Sequence, residues 1–183
     1  MTSRALFPVT TRLATPADAA LLASFAASAF SDSFAADNSA EDMSSYMADA
    51  FGESIQREEL SDPRHVVFFA EQHGEVVGYA MLRAGPAPVP ASVADADAIE
   101  IARLYTVQRL IGTGIGATLM RRCIAAAAER GKRTIWLGVW EHNARAIAFY
   151  QRWAFIDVGS QLFTLGRDRQ TDRVMARRVV GEA

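Results

Sequence analysis

The sequence predicts an α/β fold: a mixed sheet with helices packed on both of its faces. Three observations predict it. Apolar strand-like runs and Ala-rich helical segments follow one another in the order β-α-α-β-β-β-α-β-α-β-β. Two pairs of consecutive strands are joined by turns short enough for hairpins. One strand ends in a turn from which three glycines at every second position, Gly112, Gly114 and Gly116, open a long helix.

Each element has a local reason. Val9 to Leu13 reads as a first strand. Thr15 and Pro16 then start a helix, as cap and first helical residue, that runs to about Phe30. Ser39-Ala-Glu-Asp42 opens a second helix, to about Phe51. His65 to Ala70 and Val76 to Arg83 form a hairpin around Gln72-His-Gly-Glu75. Pro86, Pro88 and Pro90 make 84–98 a loop. Ile99 to Val107 is the strand before the glycines, and Ala117 to Glu129 is the helix after them, ending at Gly131. Ile135 to Trp140 is a strand. Asn143 caps a helix over Ala144 to Trp153. Phe155 to Leu165 and Arg173 to Val179 form a closing hairpin.

Composition limits the function classes. The chain has 183 residues, half of them hydrophobic, which is enough for a single domain over 1–183 with a full core. The net charge of -2 gives no electrostatic case for nucleic acid or an anionic membrane. A lone cysteine, Cys123, allows no internal disulfide and reads as a packed side chain rather than a nucleophile. His65, His73 and His142 have no metal-ligand spacing, so no metal is expected. No apolar run spans a bilayer and no signal-peptide core stands at the N-terminus, so a cytoplasmic location is expected.

The segment Ile111 to Gly116 carries the chemistry. Glycines let backbone N–H groups approach a ligand closely. A helix N-terminus adds free donors and a positive dipole end, which together suit a pyrophosphate. No Gly-Lys-Ser/Thr follows, so this is no Walker loop, and the glycine spacing does not fit a dinucleotide fingerprint. Alone, the glycines equally suit a tight turn without a ligand. A second constellation follows: the apolar strand into Trp140, then Asn143, Ala146, Phe149 and Tyr150, with Ile147 and Tyr150 sharing one helix face.

In this order the two motifs resemble the Gcn5-related N-acetyltransferase superfamily, from about Ile99 to the C-terminus. The resemblance implies a mostly antiparallel sheet with a splayed central strand pair and acetyl-CoA as cosubstrate. It implies that Leu104, Tyr105, Thr106 and Val107 meet the pantetheine. It also implies that Gly112, Thr113, Gly114, Ile115 and Gly116 hold the pyrophosphate and that Asn143 contacts the cofactor. Tyr150 becomes the acid that protonates the thiolate. The N–H of Tyr105 or Thr106 is the candidate oxyanion donor. Glu100 is the candidate base; its alternative is an ion pair with Arg103. Two positions depart from the family pattern: Ile111 replaces an Arg/Gln, and Ala154 replaces a Gly before Phe155. Arg109, Arg121 and Arg122 either meet the CoA phosphates or remain solvated.

A narrower resemblance, to bacterial PaiA-type spermine/spermidine N-acetyltransferases, rests on four groups of residues. The first three are Phe30-Ser-Asp-Ser-Phe34, Asn38 to Met43 with Tyr46 and Ala50-Phe51, and Ile135 to Glu141 with Ala146-Ile-Ala-Phe-Tyr150; the fourth is Gln170-Thr-Asp172 with Met175. It implies a small amine acceptor, most specifically a polyamine. Phe34, Glu41 and Tyr46 are its candidate contacts, in a segment with nine acidic residues and one basic between Asp32 and Asp62. An acidic wall attracts a polycation; the plain alternative is a solvated helix surface. Competing readings are acetylation of a protein N-terminus, a lysine or an amine antibiotic, and a non-catalytic acetyl-CoA-binding regulator. Monomer and homodimer stay open.

Overall fold

The computed structural model describes residues 8–85 and 89–179. Pro86 and Pro88 of the expected proline loop lie outside them. The elements are β1 (Thr10–Leu13), α1 (Ala19–Phe34), α2 (Ala40–Ala50), α3 (Glu53–Ser61), β2 (His65–Gln72), β3 (Glu75–Arg83) and β4 (Ile99–Thr106). Then come α4 (Ile115–Glu129), β5 (Thr134–Trp140), α5 (Ala144–Arg152), β6 (Ile156–Leu165) and β7 (Asp168–Arg178). The seven strands form one sheet in the order β1-β2-β3-β4-β5-β7-β6. Every neighbouring pair is antiparallel except β4 and β5.

The parallel pair is the feature that matters for function. β4 and β5 are in register only at Ile99↔Ile135 and Glu100↔Trp136. Beyond Glu100, β4 stays with β3 as far as Thr106, while β5 stays with β7 as far as Trp140. The two halves of the sheet therefore part, and one edge of each strand is left without a ladder partner.

Helices cover both faces. α4 and α5 bury Leu119, Met120, Cys123, Ala127, Ile147 and Tyr150 against Phe68, Ile99 and Ile135. On the other face α1 and α2 bury Leu22, Ala26, Phe30 and Met43 against Phe69, Tyr79 and Met81. Cys123 is fully buried, and burial pushes its thiol up to about 12. It is a core residue, not a thiolate.

α1 runs one turn further than the sequence suggests, to Phe34, and α3 is absent from the sequence reading. α3 is polar on most of its surface, and its one fully buried residue is a glutamine, with Leu60 packing on the core beside it. Gln56 is fully buried and donates to the Ala50 carbonyl at 2.9 Å. A pattern search for apolar positions has little to find in such a helix. The usable signals were Gly52 as a start and the Glu53–Arg57 pair at i,i+4, which closes at 2.6 Å.

Helix ends explain the left-handed backbone at Gly131 and Ala154. After α4, the Gly131 amide bonds the Ala128 carbonyl and the Lys132 amide bonds that of Ala127, with Gly131 at φ 67. This is a Schellman cap. After α5, the Ala154 amide bonds Gln151 and the Phe155 amide bonds Tyr150, with Ala154 at φ 61. The Phe155 ring packs edge-on against Tyr150 at 5.9 Å. The geometry is the same, but a residue with a Cβ holds the left-handed position. That conformation costs an L-residue about 1–2 kcal/mol, and glycine gives part of this back as chain entropy. Ala154→Gly is therefore expected to stabilise the fold by about 0.5–1 kcal/mol. Thermal unfolding should show Tm rising by about 1–4 °C; an unchanged or lower Tm contradicts the strain assignment.

Candidate active site

Two cavities open where β4 and β5 part. The larger, about 510 Å³, is lined by Leu104, Tyr105 and Thr106 of β4, the 110–117 turn, and Ala146, Phe149, Tyr150 and Trp153 beside α5. The smaller, about 160 Å³, lies between β4, β5, β7 and the helices α1 and α2. Leu104, Tyr105, Ala146 and Tyr150 line both. Tyr150 thus stands at the junction, carried there by the last turn of α5. Asn143 fixes where that helix begins, its Oδ1 accepting from the Ala146 amide at 3.1 Å.

The larger cavity is a main-chain donor site. Gly112 and Gly114 have φ of 87 and 99, and no atom would lie within 4 Å of a Cβ at either position. Gly114 caps α4, so the amides of Ile115, Gly116 and Ala117 precede any intrahelical partner. Along β4 the Val107 amide bonds the Val77 carbonyl at 3.0 Å. Strand alternation points the Tyr105 amide the same way and the Thr106 amide the other way, into the gap. Of the two expected oxyanion donors, Thr106 therefore has the available N–H.

Tyr150 is buried and its hydroxyl has no hydrogen-bond partner among the described residues. Burial raises its phenol above the ordinary value, with Cys123 adding a smaller push in the same direction. The group is a neutral O–H donor throughout the physiological range.

The smaller cavity has an aromatic wall. Phe30 stacks on Tyr46 at 4.7 Å, Tyr46 meets Phe163 edge-on at 5.4 Å, and Phe34 meets Trp140 at 6.3 Å. Two charged side chains reach it, Arg103 and Asp172. Arg103 is held bidentately by Glu59 of α3 at 2.7 and 3.1 Å and lies over the Phe51 ring. Asp172, on β7 opposite Trp140, is 9% exposed and has neither a hydrogen bond nor an ion pair among the described residues. Burial pushes its carboxyl up to about 6.

Several expectations need correction. Glu100 does not reach either cavity, and its partner is not Arg103. It sits before the splay, bonded to Arg83 at 2.8 Å across β3. Glu41 does not line the smaller cavity; it is 73% exposed and paired with Arg167 at 2.7 Å. Five of the nine acids of the wall, Glu41 among them, are already paired. Asp42 accepts from the Arg167 amide, while Glu53, Glu59 and Asp62 pair with Arg57, Arg103 and Arg64. Val107 lines neither cavity. Thr113 is exposed and lines neither cavity, its amide and hydroxyl both bonding the Leu110 carbonyl. The Ile115 side chain is core, which leaves only its amide to the cavity. Asn143 lines the smaller cavity, not the larger. Phe34 and Tyr46, on α1 and α2, line the smaller cavity.

Three charged side chains to which the sequence assigns no role line the cavities. Arg145 and Arg152 line the larger one, at i and i+7 around Phe149 on α5, whereas Arg122 pairs with Glu129. Asp172 was legible as an acid in phase with the buried Val174 and Ala176 of the same strand.

A model of the acetyltransferase (GNAT) family matches residues 28–155. The chain belongs to the GNAT acetyltransferase family. An uncharacterized N-acetyltransferase of Mycobacterium tuberculosis is 39% identical over 123 residues, covering 67% of this chain and 73% of that protein. An uncharacterized N-acetyltransferase from Lactobacillus delbrueckii subsp. lactis is 33% identical over 151 residues, covering 82% and 86%. The crystal structure of a PaiA N-acetyltransferase from Thermoplasma acidophilum in complex with coenzyme A superposes with a TM-score of 0.72 at 19% identity. That match covers 93% of this chain and 99% of the other. This GNAT acetyltransferase is an acetyl-CoA-dependent acyltransferase. Its own residues fit that cosubstrate: unused helix N-terminal amides for a pyrophosphate, and a free β4 edge beside an apolar cavity. Among the described residues no group of three or more His, Cys, Asp or Glu is placed to hold a metal, and no helix is long and apolar enough to cross a membrane.

Proposed function

We propose that this chain acts as one N-acetyltransferase domain that moves the acetyl group of acetyl-CoA to a primary amine of a small cationic acceptor, a polyamine in particular. The carrying observation is that two cavities meet at the splay, with Tyr150 lining both. Acetyl-CoA supplies the activated thioester. In this reading the amides of 114–117 hold the pyrophosphate, Arg145 and Arg152 add positive charge at the mouth, and the β4 edge holds the pantetheine. The Thr106 amide is the donor for the charge that develops on the thioester oxygen. Tyr150 gives its proton to the sulfur as it leaves. Both reactants are held at the junction, which turns a bimolecular encounter into a local one.

The smaller cavity supports the cationic acceptor. Its walls are aromatic, which suits both alkyl segments and cations. With Arg103 neutralised by Glu59, its lining carries one net negative charge, on Asp172. This replaces the surface acidic wall as the reason to favour a polyamine. The test is a comparison of kcat/KM for spermidine with that for a neutral-bodied primary amine of the same length, and with that for a peptide N-terminus. Spermidine is expected to lead by at least tenfold. Equal values, or a lead for the peptide, would move the acceptor to another class.

A further inference from the structure

We propose that Asp172 is the site that binds the attacking ammonium of the acceptor and takes its proton, a role that rests on the amine-acceptor reading above. Acetyl transfer needs a neutral amine, and a primary ammonium has to lose a proton before it attacks. The acceptor cavity therefore needs a base or a route to one. Glu100 cannot reach it, because the carboxylate is paired with Arg83 on the far side of the splay. Glu59 is committed to Arg103. Among the residues lining the cavity, Asp172 is the remaining carboxylate, and its oxygens have no hydrogen-bond or ion-pair partner among the described residues.

Its placement is built rather than accidental. Asp172 and Gln161 are directly paired on β7 and β6, and both side chains reach over Gly138 of β5. A Cβ at Gly138 would lie 2.6 Å from Gln161 Nε2 and 3.0 Å from Asp172 Oδ2. A glycine there leaves room for the carboxylate to sit on the sheet facing the cavity. A buried carboxylate without a partner is costly and is retained where it meets a cation from outside. The groups facing it are few. Tyr46 comes from α2, Gln161 from β6, Gln170 from its own strand, and Arg103 from β4 with its charge already covered by Glu59. Tyr46 and Trp140 flank the cavity and suit the methylenes next to the ammonium.

The step balances. The ammonium gives one proton to Asp172. The freed lone pair forms the C–N bond to the acetyl carbonyl carbon as the C–S bond breaks. The Tyr150 proton goes to the sulfur. A second amine proton returns to the Tyr150 oxygen through solvent, and Asp172 releases its own to solvent. One ammonium and one thioester become one amide, one thiol and one proton.

The test is Asp172→Asn, assayed with spermidine from pH 5 to 9 beside the parent. Taking the ratio of parent to variant cancels the titration of the acceptor. The expected ratio of kcat/KM for spermidine is about 10²-fold at pH 8, and it should shrink toward unity as pH falls below about 6, where the parent's carboxyl is also neutral. CoA affinity should be unchanged. The variant should melt no lower than the parent at pH 8, because an amide replaces an unpaired buried charge. Spermidine binding to the parent alone, by calorimetry, should weaken as pH falls through about 6. This readout does not depend on the variant folding. A pH-independent ratio near unity, with spermidine still acetylated by the parent, overturns the Asp172 role and leaves the acceptor reading intact. A parent that acetylates no amine overturns the acceptor reading and this role together.

Discussion

Tyr150→Phe is expected to lower the rate of acetyl transfer by about 10²–10⁴-fold. The ring is the packed part of the side chain. It closes the α5 cap against Phe155 and meets Phe149 at 5.4 Å, and phenylalanine keeps both contacts. Among the described residues the hydroxyl has no partner whose loss would leave an orphan. The substitution therefore removes the proton donor and little else, and both stability and CoA affinity should stay close to the parent's. A single-turnover measurement with saturating amine reads the chemical step without product release. An unchanged single-turnover rate would reduce Tyr150 to a packing residue.

Gly114→Val is expected to weaken CoA binding by about 10–10²-fold. Gly114 caps α4 at φ 99, where a β-branched residue is strained by about 1–3 kcal/mol. Each 1.4 kcal/mol is tenfold in affinity. The space around its missing Cβ is open, so the clash is not with the protein but with the backbone's own conformation and with a ligand in the larger cavity. Gly131→Val is the control. It has the same left-handed backbone at φ 67 and the same open surroundings, at the far end of α4. Both variants should lose some stability, and only Gly114→Val should raise the Kd for CoA, measured by calorimetry. Equal Kd values in the two variants would mean that the glycine turn is structural and not a cradle.

The sequence carried the parts of this molecule that repeat or alternate. The hairpin over His73-Gly74, with φ of 57 and 78, followed from turn chemistry. The α5 start followed from Asn143, whose cap closes at 3.1 Å, whereas α4 begins at Ile115, two residues ahead of the expected Ala117, with Gly114 as its cap. The parallel β4–β5 pair and its splay came only through the resemblance, because nothing in two apolar runs says where they stop pairing. Pairing between distant residues was out of reach for the same reason. Glu100 takes Arg83 because β3 and β4 are in register there, not Arg103 three residues away on its own strand. Arg103 is claimed by Glu59 of α3, a helix whose polar surface hid it. Glu41 looked like a substrate contact because charge density along the chain does not say which way a side chain faces. It faces Arg167 in the β6–β7 turn. Asp172 went without a role for the opposite reason: one acid in a strand has no weight in composition, yet it is the carboxylate that the sheet turns inward without a partner.

The most direct measurement of the central claim is stoichiometric. Purified protein, acetyl-CoA and spermidine are mixed, free thiol is followed, and the amine is identified by mass. The account predicts one CoA thiol released for each acetyl group gained by the polyamine, with no release when the amine is left out. Thiol release independent of any amine, or an absence of release with every amine tested although CoA binds, would contradict it.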